Sequence, residues 1–195
     1  MSSPIIVGDL TSQAAVFVYK DDDSVTDAAA DIRRMHASQG GIRGEIHADK
    51  QAFWDALTKW NSEAEPANAF LCIYSHAGDP GIAPTSDDAS RIISWTELAD
   101  ALPRGVQYLW LLGCETQKAL NAWKALGGPV RHRLLATDSE VYWQPFLQFF
   151  AHEISIDPVT ADDEMEERLA KSSPELAEHT KYFSPQLIEI QKKRM

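Results

Sequence analysis

Two apolar runs decide the reading of this chain: AFLCIYSHAG at residues 69–78 and VQYLWLLGCET at residues 106–116. Each reads as a buried strand, the second apolar along nearly its whole length, as expected of a central strand covered on both faces. His76 closes the first run and Cys114 the second, each with a glycine nearby, Gly78 and Gly113. If the two strands are parallel neighbours joined by one crossover, both side chains arrive at the same sheet edge. There an imidazole can activate a thiol, which is the layout of a cysteine hydrolase.

The segments on either side supply the rest of an α/β pattern. AAVFVY (14–19) reads as a first strand, followed by the acidic run Asp21, Asp22, Asp23. A helix is predicted from near Ser24 through VTDAAADIRRMHAS, with Gly40 and Gly41 as its stop. GEIHA (44–48) reads as a second strand. Asp49 is placed to cap KQAFWDALTKWNSEA, in which Phe53, Leu57 and Trp60 share one helical face. The third strand is expected at about 69–75, and the Gly-, Pro-, Asp- and Ser-rich GDPGIAPTSDDAS after it as a loop. Ser94 or its neighbour opens a short helix, WTELADAL, which Pro103-Arg104-Gly105 breaks. After the fourth strand, TQKALNAWKALGG is an amphipathic helix, RHRLLATD a fifth strand and VYWQPFLQFFAHEI a further helix.

Alternating strands and helices imply a three-layer α/β/α sandwich with a mostly parallel sheet, over residues 1–156. From about residue 157 the character changes. ADDEMEERLAKSS is strongly charged, and Ser173-Pro174 and Ser184-Pro185 each resemble a helix start with proline in the first turn. Residues 157–195 are therefore expected to form a C-terminal extension of two or three surface helices.

The bulk properties exclude several classes. At 195 residues and 44% hydrophobic content the chain can bury a full core. A formal net charge of −11 argues against a nucleic-acid surface and against anionic lipid, and is compatible with a basic protein or peptide partner. No apolar run is long enough to span a membrane, and MSSPIIVGDLTSQ lacks a signal-peptide core, so a cytoplasmic location is expected. Two cysteines make no disulfide framework, and Cys72, inside a strand, reads as a buried small hydrophobe. No Cys-x-x-Cys or His-x₃-His spacing suggests a metal, and no phosphate loop follows the first strand. The expectation is that no cofactor is needed.

Catalytic sites of open α/β sheets lie beyond the carboxyl ends of the strands, where His76 and Cys114 are expected. A free thiol has a pKa of about 8.5 and is mostly protonated at neutral pH, so a nearby histidine is needed to take its proton or stabilise its thiolate. The positive end of the helix starting near Thr116 favours the thiolate further. The backbone N–H of Cys114, with that of Ala77 or Gly78, can form an oxyanion hole. A lone cysteine at a strand end is usually structural, and a lone loop histidine usually caps or faces solvent. Their joint position at the ends of consecutive strands sets this pair apart.

From Ala69 to about Ile154 the chain resembles the CHAT domain, a branch of the caspase-like (clan CD) cysteine peptidases. An apolar strand leads to Ser75-His76. The segment IISWTELADAL then looks like the family's strand and helix before the nucleophile. Gly113-Cys114-Glu115-Thr116 is close to the family's Ala-Cys-Glu-Thr, and RLLATDSEVYWQPFLQFFAHEI is similar to its closing strand and helix. The resemblance implies a caspase-like fold, with His76 as general base and acid and Cys114 as nucleophile. Two features depart from the family: Ala77 stands directly after the histidine, where glycine is usual, and there are no accompanying helical repeats.

In caspase-like folds the end of the first strand can line the pocket for the residue before the scissile bond. That position holds Asp21, Asp22 and Asp23, with Asp138 and Glu140 past the fifth strand, an acidic set that favours arginine or lysine. Against this stands a plainer assignment, in which the aspartates cap a helix and face solvent. The reading is thus a cysteine endopeptidase acting on a protein or peptide, a bacterial effector switched on by a protein partner. Two readings compete: a non-catalytic caspase-like module that binds a partner, and a thiol hydrolase or acyltransferase of small molecules.

Overall fold

A computed structural model describes residues 4–8, 14–39, 42–63, 69–86, 88–102, 106–125, 133–138 and 165–183. The strands are β1 (Ile5–Gly8), β2 (Ala14–Tyr19), β3 (Ile42–His47), β4 (Ala69–Gly78), β5 (Gly81–Ala83), β6 (Ile93–Ser94), β7 (Val106–Leu112), β8 (Arg133–Thr137) and β9 (Thr180–Phe183). The helices are α1 (Ser24–Gln39), α2 (Lys50–Glu63), α3 (Trp95–Ala101), α4 (Lys118–Ala125), α5 (Met165–Ser172) and α6 (Pro174–His179). The main sheet runs β1-β3-β2-β4-β7-β8-β9. Its inner five strands are parallel, and β1 and β9 are antiparallel edges.

Side-chain alternation splits the sheet residues between two cores. On one face Val16, Val18, Cys72, Tyr74, Trp110 and Leu112 pack with Ala28, Ala29, Ile32 and Met35 of α1 and Leu169 of α5. On the other Phe17, Leu71, Ile73, Leu109 and Leu111 pack with Phe53, Leu57 and Trp60 of α2, Leu98 of α3 and Leu120 of α4. Helices on both faces make the three layers, and each large side chain so buried contributes about 1.5–3 kcal/mol. Buried Arg43, Glu45 and His47 on β3 form a hydrogen-bonded group under α2, with Arg43 Nε to Glu45 Oε1 at 2.7 Å and His47 Nε2 to Glu45 Oε2 at 2.9 Å. Among the described residues no helix is long and apolar enough to cross a membrane.

The helix starts follow from their caps. Asp49 Oδ1 accepts from the Ala52 N–H at 2.9 Å at the head of α2. Ser94 and Glu97 form a reciprocal capping box at the head of α3. Pro174 opens α6, where its missing N–H costs nothing.

Three expectations change. The third strand does not stop at residue 75. β4 continues to Gly78 and folds back as a hairpin with β5, pairing His76 with Ala83 and Gly78 with Gly81. A strand end was expected where the hydrophobic run gave out, but backbone pairing carries the strand on through polar residues. Second, β1 forms an edge on β3 that the pattern of the sequence did not announce. Third, the C-terminal extension is not helical throughout: after α5 and α6 the segment TKYF pairs with β8 as β9 and closes the sheet. The helix expected over VYWQPFLQFFAHEI and the helix start at Ser184-Pro185 lie outside the described residues.

Candidate active site

The chain leaves β2, crosses by α1 to β3 on one side, then crosses by α2 to β4 on the other. In doubly wound sheets, ligands bind beyond the carboxyl ends of the strands at such a reversal. The segments that emerge there are Lys20–Asp23 after β2 and Ser75–Gly78 at the end of β4.

β4 and β7 pair in parallel up to Tyr74 opposite Leu112. His76 and Cys114 each lie two positions further on. The contact between their segments is tight at Gly113, where an added Cβ would stand 2.5 Å from the Ser75 carbonyl oxygen and 3.0 Å from the Ala77 side chain. Only glycine permits that approach. Tyr74 belongs to the core on the α1 side, and His76, two residues along the same strand, continues that face.

Cys114 sits in a turn of residues 114–117 that feeds α4. Its neighbour Glu115 has φ of 53°, a left-handed conformation uncommon outside glycine. The turn is anchored from below by two buried threonines. Thr116 Oγ1 donates to the Leu111 carbonyl and accepts from the Thr137 N–H, both at 2.9 Å, and the Thr137 hydroxyl donates to the Gly113 carbonyl. From above, Lys118 Nζ reaches Asp79 at 2.6 Å and Glu115 at 2.7 Å, clasping the β4–β5 turn to the Cys114 turn. These two hydrogen bonds raise the Lys118 pKa.

Ala77 and Gly78 are strand residues, and consecutive N–H groups of a strand point to opposite edges. Ser75 directs its carbonyl toward Gly113, so the Ala77 N–H lies on that same edge and the Gly78 N–H on the other. The Gly78 edge faces β5, which lies on the β2 side, where Pro84 O accepts from the Asp21 N–H at 2.9 Å. The Gly78 carbonyl accepts from Trp95 Nε1 at 3.0 Å. Of the two expected oxyanion donors, Ala77 therefore faces the Cys114 segment.

The acidic run divides three ways. Asp21 pairs with Arg91 Nη1 at 2.9 Å. Asp22 Oδ2 lies 2.7 Å from His76 Nε2 and 3.0 Å from Lys20 Nζ, while its Oδ1 accepts from the N–H of Ser24 at 3.0 Å and the hydroxyl at 2.5 Å. Burial alone would raise the Asp22 pKa. The hydrogen bonds from Ser24, Lys20 and His76 and the Lys20 charge outweigh it and hold the carboxyl well below the usual carboxylate range. Asp23 is exposed and makes no ion pair among the described residues. All three line a cavity of about 400 Å³, together with Lys20, Thr26, Ile5 and Ile46. Asp22 is thus both a helix cap and a cavity wall. Asp138 does not line it: it lies at the head of β9, with Oδ1 3.6 Å from His179 Nδ1. Glu140 lies outside the described residues.

Lys20 is the residue that the sequence reading passed over. Its side chain is 6% exposed, with Nζ 3.3 Å from the Tyr74 hydroxyl and 4.8 Å from the centre of the Tyr74 ring. Its signal was its place directly after β2, one residue past the point where Tyr19 pairs with Ser75. Both cysteines are reduced: Cys72 is fully buried, and burial pushes its thiol pKa up, whereas Cys114 is partly exposed. Among the described residues no three His, Cys, Asp or Glu side chains group to hold a metal ion. No protein-family model matches the chain, and no curated protein matches its sequence.

Proposed function

We propose that the chain is a caspase-like cysteine endopeptidase of the CHAT type, with Cys114 as nucleophile and His76 as base and then acid, acting on a protein or peptide. The observation that supports the reading is one of register: His76 and Cys114 each lie two positions past Tyr74 and Leu112, the last paired residues of adjacent parallel strands, and the residues just before them, Ser75 and Gly113, are in close contact. His76 takes the thiol proton as Cys114 Sγ attacks the scissile carbonyl carbon. The resulting oxyanion accepts from the N–H groups of Cys114 and Ala77. The carbon–nitrogen bond then breaks, His76 returns the proton to the leaving amine, and a thioester remains. Water, deprotonated by His76, hydrolyses that thioester and frees Cys114. The cavity walled by Asp21, Asp22, Asp23 and Lys20 adjoins His76 through Asp22 and, among the described residues, is lined by none of the Cys114 turn; as the place for the side chain before the cleaved bond, its net negative lining favours arginine or lysine.

An electrophilic peptide probe tests this reading. Selective labelling of Cys114 that is lost in His76→Ala supports an enzyme. A Cys114 that stays inert in the folded protein, alone and with its partners, supports the non-catalytic module instead.

A further inference from the structure

We propose that Asp22 is a positioning residue for His76: it fixes the imidazole in the tautomer that leaves Nδ1 free of a proton, and Lys20 holds Asp22 in place for that task. The inference rests on the reading of His76 as the base that serves Cys114, and it adds a third and a fourth residue to that machinery.

An ionised carboxylate only accepts. Asp22 is met by the Ser24 N–H and hydroxyl on Oδ1, and by the Lys20 ammonium and His76 Nε2 on Oδ2. With a buried cation 3.0 Å away the carboxyl has no reason to hold a proton of its own. His76 Nε2 must then be the donor in its 2.7 Å contact, so a neutral His76 carries its hydrogen on Nε2 and its lone pair on Nδ1. That lone pair is the only site on the ring that can take a thiol proton.

Contacts from β4 and α1 surround this arrangement. Lys20 is fixed by the Tyr74 ring and hydroxyl, and Tyr74 sits on β4 two residues before His76. Asp22 is fixed by the first turn of α1. β2 and β4 are locked in register up to Tyr19 opposite Ser75, one residue short of both Lys20 and His76.

The experiment uses the full chain with ring-¹⁵N-labelled histidine, at a pH where the imidazoles are neutral, and assigns His76 with His76→Gln. The expected wild-type signal is the Nε2–H tautomer. Asp22→Asn, whose amide can turn an N–H toward the ring, loses that preference. The double variant Asp22→Ala/Lys20→Met removes both charges together, so no buried cation is stranded, and it also gives a mixed signal. In the same samples the rate of Cys114 alkylation by chloroacetamide falls roughly 10–100-fold, by analogy with the loss that follows removal of the hydrogen-bonded partner of a metal-bound histidine. An unchanged Nε2–H signal in both variants, or unchanged alkylation of Cys114 once the tautomer has shifted, overturns the inference. Peptide cleavage is not a readout here. If tautomer and alkylation both follow Asp22 while no peptide is cut, the positioning role stands and the peptidase reading falls.

Discussion

A side chain at Gly113 would stand 2.5 Å from the carbonyl oxygen of Ser75. The two residues directly precede Cys114 and His76, so this one contact sets how closely the ends of β4 and β7 approach. Gly113→Ala must push the strand ends apart or distort the Cys114 turn. Overpacking of this kind costs about 1–3 kcal/mol. The expected result is a lower urea midpoint together with slower alkylation of Cys114, and wild-type stability with wild-type alkylation would show that the ends are not in register contact.

Cys72→Ser should cost stability and leave chemistry alone. Cys72 is fully buried between β2 and β7, facing α1. A hydroxyl placed there without a partner costs about 1–3 kcal/mol. A lower melting temperature with normal turnover per folded molecule is expected. Lost turnover at unchanged stability would put Cys72 in the catalytic machinery.

Much of this architecture was legible in the sequence, because apolar runs and caps act locally. The capping box of Ser94 and Glu97, the Asp49 cap and the continuous apolar run of β7 each specify their element within a few residues. What failed was non-local. β9 is a strand only because β8 offers it an edge, and its four residues follow a helix without a pattern of their own. The β4–β5 hairpin depends on backbone pairing through glycines that a propensity reading assigns to a loop. Asp22 and His76 are far apart in sequence, and their contact follows only once β2 and β4 are known to be neighbours. The position of the site could be read from strand ends, but its hydrogen bonds could not.

The Asp22 carboxyl makes acid stability a measure of its partners. Its folded pKa is depressed, so the stability it contributes is present in full above the unfolded value of about 3.9 and is lost as pH falls toward the lower folded value. Asp22→Asn lacks this contribution at every pH. Urea midpoints taken between about pH 5 and pH 2 should therefore fall less steeply for Asp22→Asn than for wild type. Glu45, depressed by His47 and Arg43 against the effect of burial, adds the same sign to both proteins and cancels. Parallel curves would mean that Lys20 and His76 do not stabilise the Asp22 charge.

Arginine or lysine before the cleaved bond should be preferred, with Asp23 carrying the preference. Asp21 is already engaged by Arg91, and Asp22 by Lys20 and His76, which leaves Asp23 to meet a substrate cation. A fluorogenic panel varied only at that residue should favour basic side chains in wild type and lose selectivity in Asp23→Asn, with stability unchanged. If aspartyl or small apolar residues are cut best, the acidic run serves α1 alone.

The central claim is that Cys114 and His76 act as one unit on peptide bonds. The most direct measurement is the mapping of new amino termini after incubation of a proteome-derived peptide library with wild type, Cys114→Ala, His76→Ala and the double variant. Residues that act as a unit lose nearly everything at the first substitution, so the double variant should be no worse than either single. The account predicts termini that share a basic residue before the cut, present with wild type and absent with all three folded variants. The same termini released by folded Cys114→Ala protein would contradict it.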